Sequence, residues 1–240
     1  MKRLFLISLY ALGLSILMPE DSLRTQDLAV NYDCSQLPGP WSIIGLGGYS
    51  LSISSGILTM IDHNTSEWVL LEYVSSLIAG ASDVCIEARV RIPSNNGVQA
   101  SPQMALSSFD PARPYDDRAH LWYAVDLYTD RIELTRVVNA ATSTSTLLGS
   151  YPVPDLSTTF HKISLRKHEE NVRSFTVLLD DNPVIMVSGE STVRPLNAVD
   201  IGYGRCVGVG RSDWDYINFW ATSPVAAESA TWGRIKALYE

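Results

Sequence analysis

Residues 119–139, AHLWYAVDLYTDRIELTRVVN, predict two β-strands joined by a turn at Thr129 and Asp130. The first of these strands alternates strictly between two sets of side chains. Because strand side chains point to opposite faces with a period of two, one set can face a core while the other faces outward. The expected core set is Leu121, Tyr123, Val125 and Leu127, and the expected outward set is His120, Trp122, Ala124, Asp126 and Tyr128.

The outward set has two interpretations, and the sequence leaves both open. In the first, aromatic rings cover the C–H faces of a sugar while carboxylate and imidazole groups bind its hydroxyls. The second interpretation is an aromatic ladder that only stiffens the sheet. Under the first, the candidate ligand-binding residues are His120, Trp122, Asp126, Tyr128 and, on the second strand, Glu133.

The same short hydrophobic runs recur from residue 41 to residue 220, separated by turns rich in Gly, Pro, Asn and Ser. Roughly a dozen strands of this kind, without a long helical period, predict an all-β fold with two packed antiparallel sheets. The region 34–222 is therefore expected to be one β-sandwich domain. Residues 19–33 are polar and aperiodic and are interpreted as a linker. Residues 223–240 are interpreted as a second linker and a short C-terminal helix.

The overall charge excludes one class of partner. The chain has 240 residues, 46% hydrophobic residues and a formal net charge of −8. Such a composition is sufficient for a packed core, so disorder of the whole chain is excluded. A surface of this charge would repel nucleic acid.

The N-terminus predicts export. Lys2 and Arg3 form a basic region, and the apolar run at residues 4–18 follows directly. Residues 1–18 therefore have the layout of a signal peptide and are short for a membrane span. No good small-residue cleavage site follows the run, so an uncleaved anchor is the alternative. The expected location is secreted or cell envelope, with no transmembrane segment beyond this signal.

Three cysteines, Cys34, Cys85 and Cys206, are too few for a disulfide scaffold. Export is compatible with one disulfide bond, which would leave one thiol over. The sequence does not select the pair, and the spacing matches no zinc-binding pattern.

Three segments resemble the concanavalin A-like lectin/glucanase superfamily, including its LamG-like jelly-roll domains. They are FHKISL at residues 160–165, FTVLLDDNPV at 175–184 and GRSDWDYI at 210–217. The resemblance implies a jelly-roll sandwich. It also implies that Asp215 helps to hold a structural calcium ion together with backbone carbonyl groups. Asn182 stands where the superfamily's turn usually has Gly, and Asn tolerates the left-handed conformation.

The resemblance also bears on function. Laminarinase-type members carry E-x-D-x-x-E on one strand, and retaining hydrolysis needs two carboxylates about 5 Å apart. The comparable strand here has a single acid, Asp126, although Glu133 can approach from the next strand. We therefore expect an exported carbohydrate-binding or adhesion module, with a glycan, a polysaccharide or a cell-surface protein as partner. The alternatives are a glycoside hydrolase using Asp126 and Glu133, and a structural cell-envelope protein without a ligand.

Overall fold

The computed structural model describes residues 26–37, 39–45, 48–63, 69–95, 101–109, 119–138, 144–169, 172–192, 194–203 and 209–222. These residues form fifteen strands and one short helix, α1 (Ser76–Gly80). The strands are β1 (Gln26–Tyr32), β2 (Ser42–Gly45), β3 (Tyr49–Ser54), β4 (Ile57–His63), β5 (Val69–Val74), β6 (Asp83–Asn95), β7 (Pro102–Phe109), β8 (Ala119–Leu127), β9 (Arg131–Val138), β10 (Thr144–Pro152), β11 (His161–Glu169), β12 (Arg173–Leu179), β13 (Asn182–Glu190), β14 (Ala198–Tyr203) and β15 (Val209–Thr222).

The strands form two antiparallel sheets packed as a sandwich. The eight-stranded sheet has the order β13-β12-β11-β6-β15-β4-β3, and β1 pairs with β15 beside this path. The seven-stranded sheet has the order β10-β9-β8-β7-β14-β5-β2. Most neighbours in these orders are distant in sequence, as in a jelly roll. The predicted all-β, two-sheet fold is confirmed.

The core lies between the two sheets and is built by period-two alternation. In β6, every second side chain is fully buried, namely Ile86, Ala88, Val90 and Ile92. In β8, the predicted core set also faces inward, with Leu121, Tyr123, Val125 and Leu127 all buried in the same cluster. Because apolar burial is the main favourable term in folding, this alternation fixes which face of each sheet is left for other purposes.

A hydrogen-bonded network joins the sheets where the core meets polar residues. The Tyr123 hydroxyl donates to Glu190 Oε2 at 2.7 Å, and Arg136 Nη1 donates to the same oxygen at 2.8 Å. Tyr123 and Arg136 belong to the seven-stranded sheet, whereas Glu190 lies on β13 of the other sheet. The Tyr123 ring also stacks on Phe175, with 4.1 Å between ring centroids. A charge-assisted bond of this kind fixes the relative position of the two sheets.

The linker expected at residues 19–33 is wrong for its second half. Residues 26–32 form β1, whose partners run along the C-terminal half of β15. Leu28 and Val30 pack against the core, and Tyr32 is buried in it. The alternation was missed because the inward residues are interleaved with Gln26, Asp27 and Asn31, which made the run appear polar.

A second expectation placed the end of β6 at Pro93, but the strand continues to Asn95. The register with β15 shifts here, because Ser94 pairs with Arg211 while Arg91 pairs with Asp213. Pro93 lies inside this bulge, where no ladder hydrogen bond is required of its nitrogen.

The β12–β13 turn also differs in detail from expectation. Asp180 and Asp181 have positive φ values of 48° and 69°, whereas Asn182 already begins β13. The aspartates therefore take the left-handed positions that the superfamily's Asp-Gly turn requires, and short polar side chains tolerate this conformation. Asp180 also accepts hydrogen bonds from the backbone N–H of Lys162 and contacts His161 Nδ1 at 2.8 Å.

Several expectations lie outside the described residues. They are the signal peptide at residues 1–18, the C-terminal linker and helix at 223–240, and Cys206. Cys34 and Cys85 are both buried, and neither forms a disulfide bond. Within the described ranges, no helix has the length and apolar character needed to span a membrane.

The fold gives a direct test of the β8 faces. Leu127 is fully buried, so Leu127→Ala should lower the free energy of unfolding by about 2–5 kcal/mol, through lost apolar burial and a residual cavity. Leu147, on β10, is 57% exposed, and Leu147→Ala should change the same quantity by less than about 0.5 kcal/mol. Urea denaturation of both variants measures the difference. Equal effects would show that the β8 alternation is assigned to the wrong faces.

Candidate functional site

The side of the seven-stranded sheet that faces away from the core carries most of the predicted site residues. We call it the polar face. Its members alternate with core residues on five adjacent strands, so their side chains point away from the other sheet. They are Glu72 on β5, Asp200 on β14, Gln103, Ala105 and Ser107 on β7, Trp122, Ala124 and Asp126 on β8, and Glu133, Thr135 and Val137 on β9.

Strand register arranges these residues in rows across the sheet. Asp126 lies directly between Gln103 on β7 and Glu133 on β9. Directly opposed residues on antiparallel strands have Cβ atoms about 4.5–5.5 Å apart. The register therefore brings the two predicted acids together, although they come from different strands.

Asp126 is held in an unusual state. Its side chain is half-buried, and Thr135 Oγ1 donates to Asp126 Oδ2 at 2.7 Å. Burial raises the pKa of Asp126 to about 7, the hydrogen bond from Thr135 opposes that rise, and the charge of Glu133 adds to it. A carboxyl group with such a pKa exists in both protonation states near neutrality, so it can donate or accept a hydrogen bond.

Glu133 and Tyr128 are organised by a single arginine. Arg131 Nε donates to Glu133 Oε1 at 2.7 Å, and the Arg131 guanidinium lies 3.9 Å from the centroid of the Tyr128 ring. Burial raises the pKa of Tyr128, and the charge of Asp126 raises it further. Asp126, Tyr128 and Glu133 thus form one cluster beside the β8–β9 turn, as the sequence predicted.

Trp122 lies at the other end of the face. Four residues along a strand separate it from Asp126, roughly 13 Å between Cα atoms. It faces outward as predicted, but it is only 9% exposed, because it belongs to a small apolar cluster with Leu70, Ala105 and Ala124. Most of its ring is therefore unavailable for stacking on a sugar. His120 belongs to β8, but its side chain lies outside what the structure describes.

Sequence reasoning missed four polar residues of this face, all with little exposure: Glu72, Gln103, Ser107 and Asp200. Each is a lone polar residue in a strand that is otherwise mostly apolar, such as VLLEYV for β5 and AVDIGY for β14. The available signal was parity, since each occupies an outward position. Which of them are neighbours depends on strand order, which local patterns do not give.

Glu72 and Asp200 form a second acidic pair. They are directly opposed on β5 and β14, and they are 8% and 6% exposed. Burial raises the pKa of Asp200 to about 6, and a hydrogen bond with Ser107 opposes this shift. Asp200 Oδ1 is buried and has no hydrogen-bond partner among the residues that the structure describes. An unpaired buried acceptor costs roughly 1–3 kcal/mol, so a fold tends to retain one only for a reason.

Asp215, the predicted calcium ligand, lies on the opposite sheet. It forms an ion pair with Arg89, which is 48% exposed at its side chain. In the part of the chain that the structure describes, no group of three or more His, Cys, Asp or Glu residues could hold a metal ion. Calcium at Asp215 stays a prediction, and it would require backbone carbonyl ligands and displacement of Arg89. A melting temperature that falls on adding chelator would support it.

The sequence matches no protein-family model, and no curated protein matches it. Solved structures do match. An endo-β-galactosidase from Clostridium perfringens that releases GlcNAcα1-4Gal has a TM-score of 0.58 at 9% identity, over 84% of this chain and 64% of that chain. An endo-β-1,4-glucuronan lyase from Trichoderma reesei has a TM-score of 0.56 at 11% identity, over 82% and 96%. A β-glucanase from Bacillus licheniformis has a TM-score of 0.53 at 8% identity, over 82% and 98%.

At such low identity these similarities show the fold alone. All three cover more than four fifths of this chain, so the whole sandwich is shared and not a few strands. The resemblance to the concanavalin A-like superfamily is therefore supported at the level of architecture. Function has to be argued from the residues of the polar face.

The state of Asp126 predicts a pH dependence of stability. Its folded pKa of about 7 lies above the ordinary value of about 3.9, so between these values the folded chain holds a proton that the unfolded chain has lost. The contribution of Asp126 to the free energy of unfolding should therefore fall as the pH rises through this range. Asp126→Asn keeps an acceptor for Thr135 and should remove that contribution.

Urea midpoints of the wild type and of Asp126→Asn, measured from about pH 4 to about pH 8, test this expectation. The variant should gain stability relative to the wild type as the pH rises. The exposed Asp181 provides a matched control, since Asp181→Asn should show no such gain. A constant difference between wild type and Asp126→Asn would mean that Asp126 titrates at its ordinary pKa.

Proposed function

We propose that this protein is an exported carbohydrate-binding module that holds a glycan on the polar face. The observation that carries the proposal is the gathering of Gln103, Asp126, Tyr128 and Glu133 on one side of a sheet whose other side is core. An amide, two carboxyl groups and a phenol ring supply hydrogen-bond partners for hydroxyls and a flat surface for C–H groups.

The arrangement favours recognition over a purely structural role. A face that only covered the core would be apolar, and a solvated face would be well exposed. Gln103 and Ser107 are instead polar and almost completely removed from bulk water. Buried polar groups of this kind bind hydroxyls strongly, because a ligand lacking the complementary group leaves them unpaired. Rings and carboxyl groups on the rim of such a floor give a ligand orientation and specificity.

The similar structures support a carbohydrate role without deciding its type. By their names, they are an endo-β-galactosidase, a glucuronan lyase and a β-glucanase. Their shared architecture therefore accommodates sites for several polysaccharides. Export, predicted from residues 1–18, would bring the polar face into contact with glycans outside the cytoplasm.

A second candidate, glycoside hydrolysis, is favoured by one specific observation. Asp126 and Glu133 are directly opposed, the pKa of Asp126 is raised to about 7, and Glu133 is paired with Arg131. Retaining hydrolysis requires an acid that stays protonated near neutrality beside a carboxylate about 5 Å away. Asp126 would serve as the acid and Glu133 as the nucleophile. Against this role, Thr135 and Arg131 already occupy hydrogen-bonding capacity of both groups.

Binding is tested first by a glycan array and by affinity electrophoresis in gels that contain polysaccharides. For any ligand found, Gln103→Ala should weaken binding by about tenfold or more, since it removes a buried amide from the centre of the face. Thr176→Ala changes an outward residue of β12 on the opposite sheet and should leave affinity unchanged. A ligand bound equally by both variants would place the binding site elsewhere.

Hydrolysis is tested on the same glycans by release of reducing sugar. If the chain is an enzyme, Asp126→Asn and Glu133→Gln should each abolish release while retaining binding, because both substitutions preserve side-chain size. Binding without release in the wild type would favour the module. Release that survives both substitutions would exclude this pair as the catalytic residues.

A further inference from the structure

The polar face is strongly one-signed at its centre. Strands β2, β5, β14, β7 and β8 contain no Lys or Arg, and the outward positions of these strands include Glu72, Asp126 and Asp200. Glu133 adds a fourth carboxyl group on β9, where it is paired with Arg131 beside the turn. The Glu72–Asp200 end of the face therefore has no described cation on its own or neighbouring strands.

Asp200 is surrounded by small residues on this face. Its neighbours along β14 are Ala198 and Gly202, and the residue opposite it on β7 is Ala105. Gly202 is itself required by the backbone, because a Cβ there would lie 2.2 Å from the carbonyl oxygen of Val69. The surroundings of Asp200 are therefore low, except for Glu72 on the remaining side.

The hydrogen bonding of Asp200 is incomplete. Ser107 serves one side of the carboxyl group, while Oδ1 has no partner among the described residues. An acceptor that is nine-tenths buried and unpaired gains most from a donor that also carries positive charge, since charge-assisted hydrogen bonds are about twice as strong as neutral ones. Low-dielectric walls of one sign also extend their field to groups that do not touch them.

We propose that the polar face selects glycans that carry free amino groups, and that Glu72 and Asp200 are its specificity-determining residues for the ammonium group. The inference rests on the proposed glycan-binding function and adds the ligand class. The two carboxyl groups attract an ammonium group and supply its acceptor, and the same charges repel uronate and sulfate groups of acidic polysaccharides. Neutral glycans satisfy the hydroxyl-binding groups near Asp126 but leave the Glu72–Asp200 pair without a cation.

The test uses three probes of equal length, namely oligomers of glucosamine, of N-acetylglucosamine and of galacturonate. Isothermal titration at low salt should give the tightest binding for the glucosamine oligomer, by about tenfold or more over its acetylated counterpart. The galacturonate oligomer should not bind. Added salt should reduce the preference for the amine, because the attraction is partly exposed to screening.

Asp200→Asn and Glu72→Gln should each reduce the preference for glucosamine to about twofold or less, with little effect on the acetylated oligomer. Asp181→Asn is the matched control, because it removes one negative charge from the exposed β12–β13 turn on the other sheet. Urea denaturation checks that each variant is folded.

Equal loss in Asp181→Asn would reveal only the general attraction of a polycation to an acidic protein and would overturn the inference. Equal binding of the amino and acetylated oligomers by the wild type would also overturn it, while leaving the proposed glycan-binding function standing. Failure to bind any of the three probes, or any glycan on the array, would overturn both.

Discussion

The packing of the seven-stranded sheet against its partner is the constraint on which the rest of the molecule depends. Every strand side chain must point either into the sandwich or away from it, so burial of Tyr123 and Val125 forces Trp122, Ala124 and Asp126 to the other side. A shift of one residue in β8 would exchange the two sets. The Tyr123–Glu190 hydrogen bond reinforces the register, because it requires the phenol to face β13.

The two outer surfaces of the sandwich treat charge in opposite ways. On the eight-stranded sheet, carboxylates are matched by guanidinium groups: Asp213 accepts hydrogen bonds from Thr59, Arg91 and Arg211. Burial raises the pKa of Asp213, but these donors outweigh it and hold the pKa below its ordinary value. On the seven-stranded sheet, the pKa values of Asp126 and Asp200 are raised instead, because burial is not offset by a cation. Perturbation of that kind is more typical of functional sites than of structural ion pairs.

Local patterns in the sequence were sufficient for the fold class and for the faces of β8, because alternation is a property of a single strand. They were insufficient for β1, whose inward residues are separated by polar ones, and for the Glu72–Asp200 pair, which depends on β14 lying between β5 and β7. The position of Glu133 opposite Asp126 was within reach, since a short hairpin fixes its own register. The low exposure of Trp122 was not, because it results from packing with Leu70, on a strand three positions away in the sheet.

The pairing of β1 with β15 also orders events in the life of the chain. β15 has β1, β4 and β6 as neighbours, and Asn218 on β15 accepts a hydrogen bond from the backbone of Tyr32, which is 186 residues earlier in the sequence. The eight-stranded sheet thus lacks its central member until nearly the whole domain has been synthesised. Contacts of such long range form slowly, because a large loop must close before they contribute. A polypeptide with this topology stays incompletely folded during synthesis, which is the condition in which a chain can be threaded across a membrane.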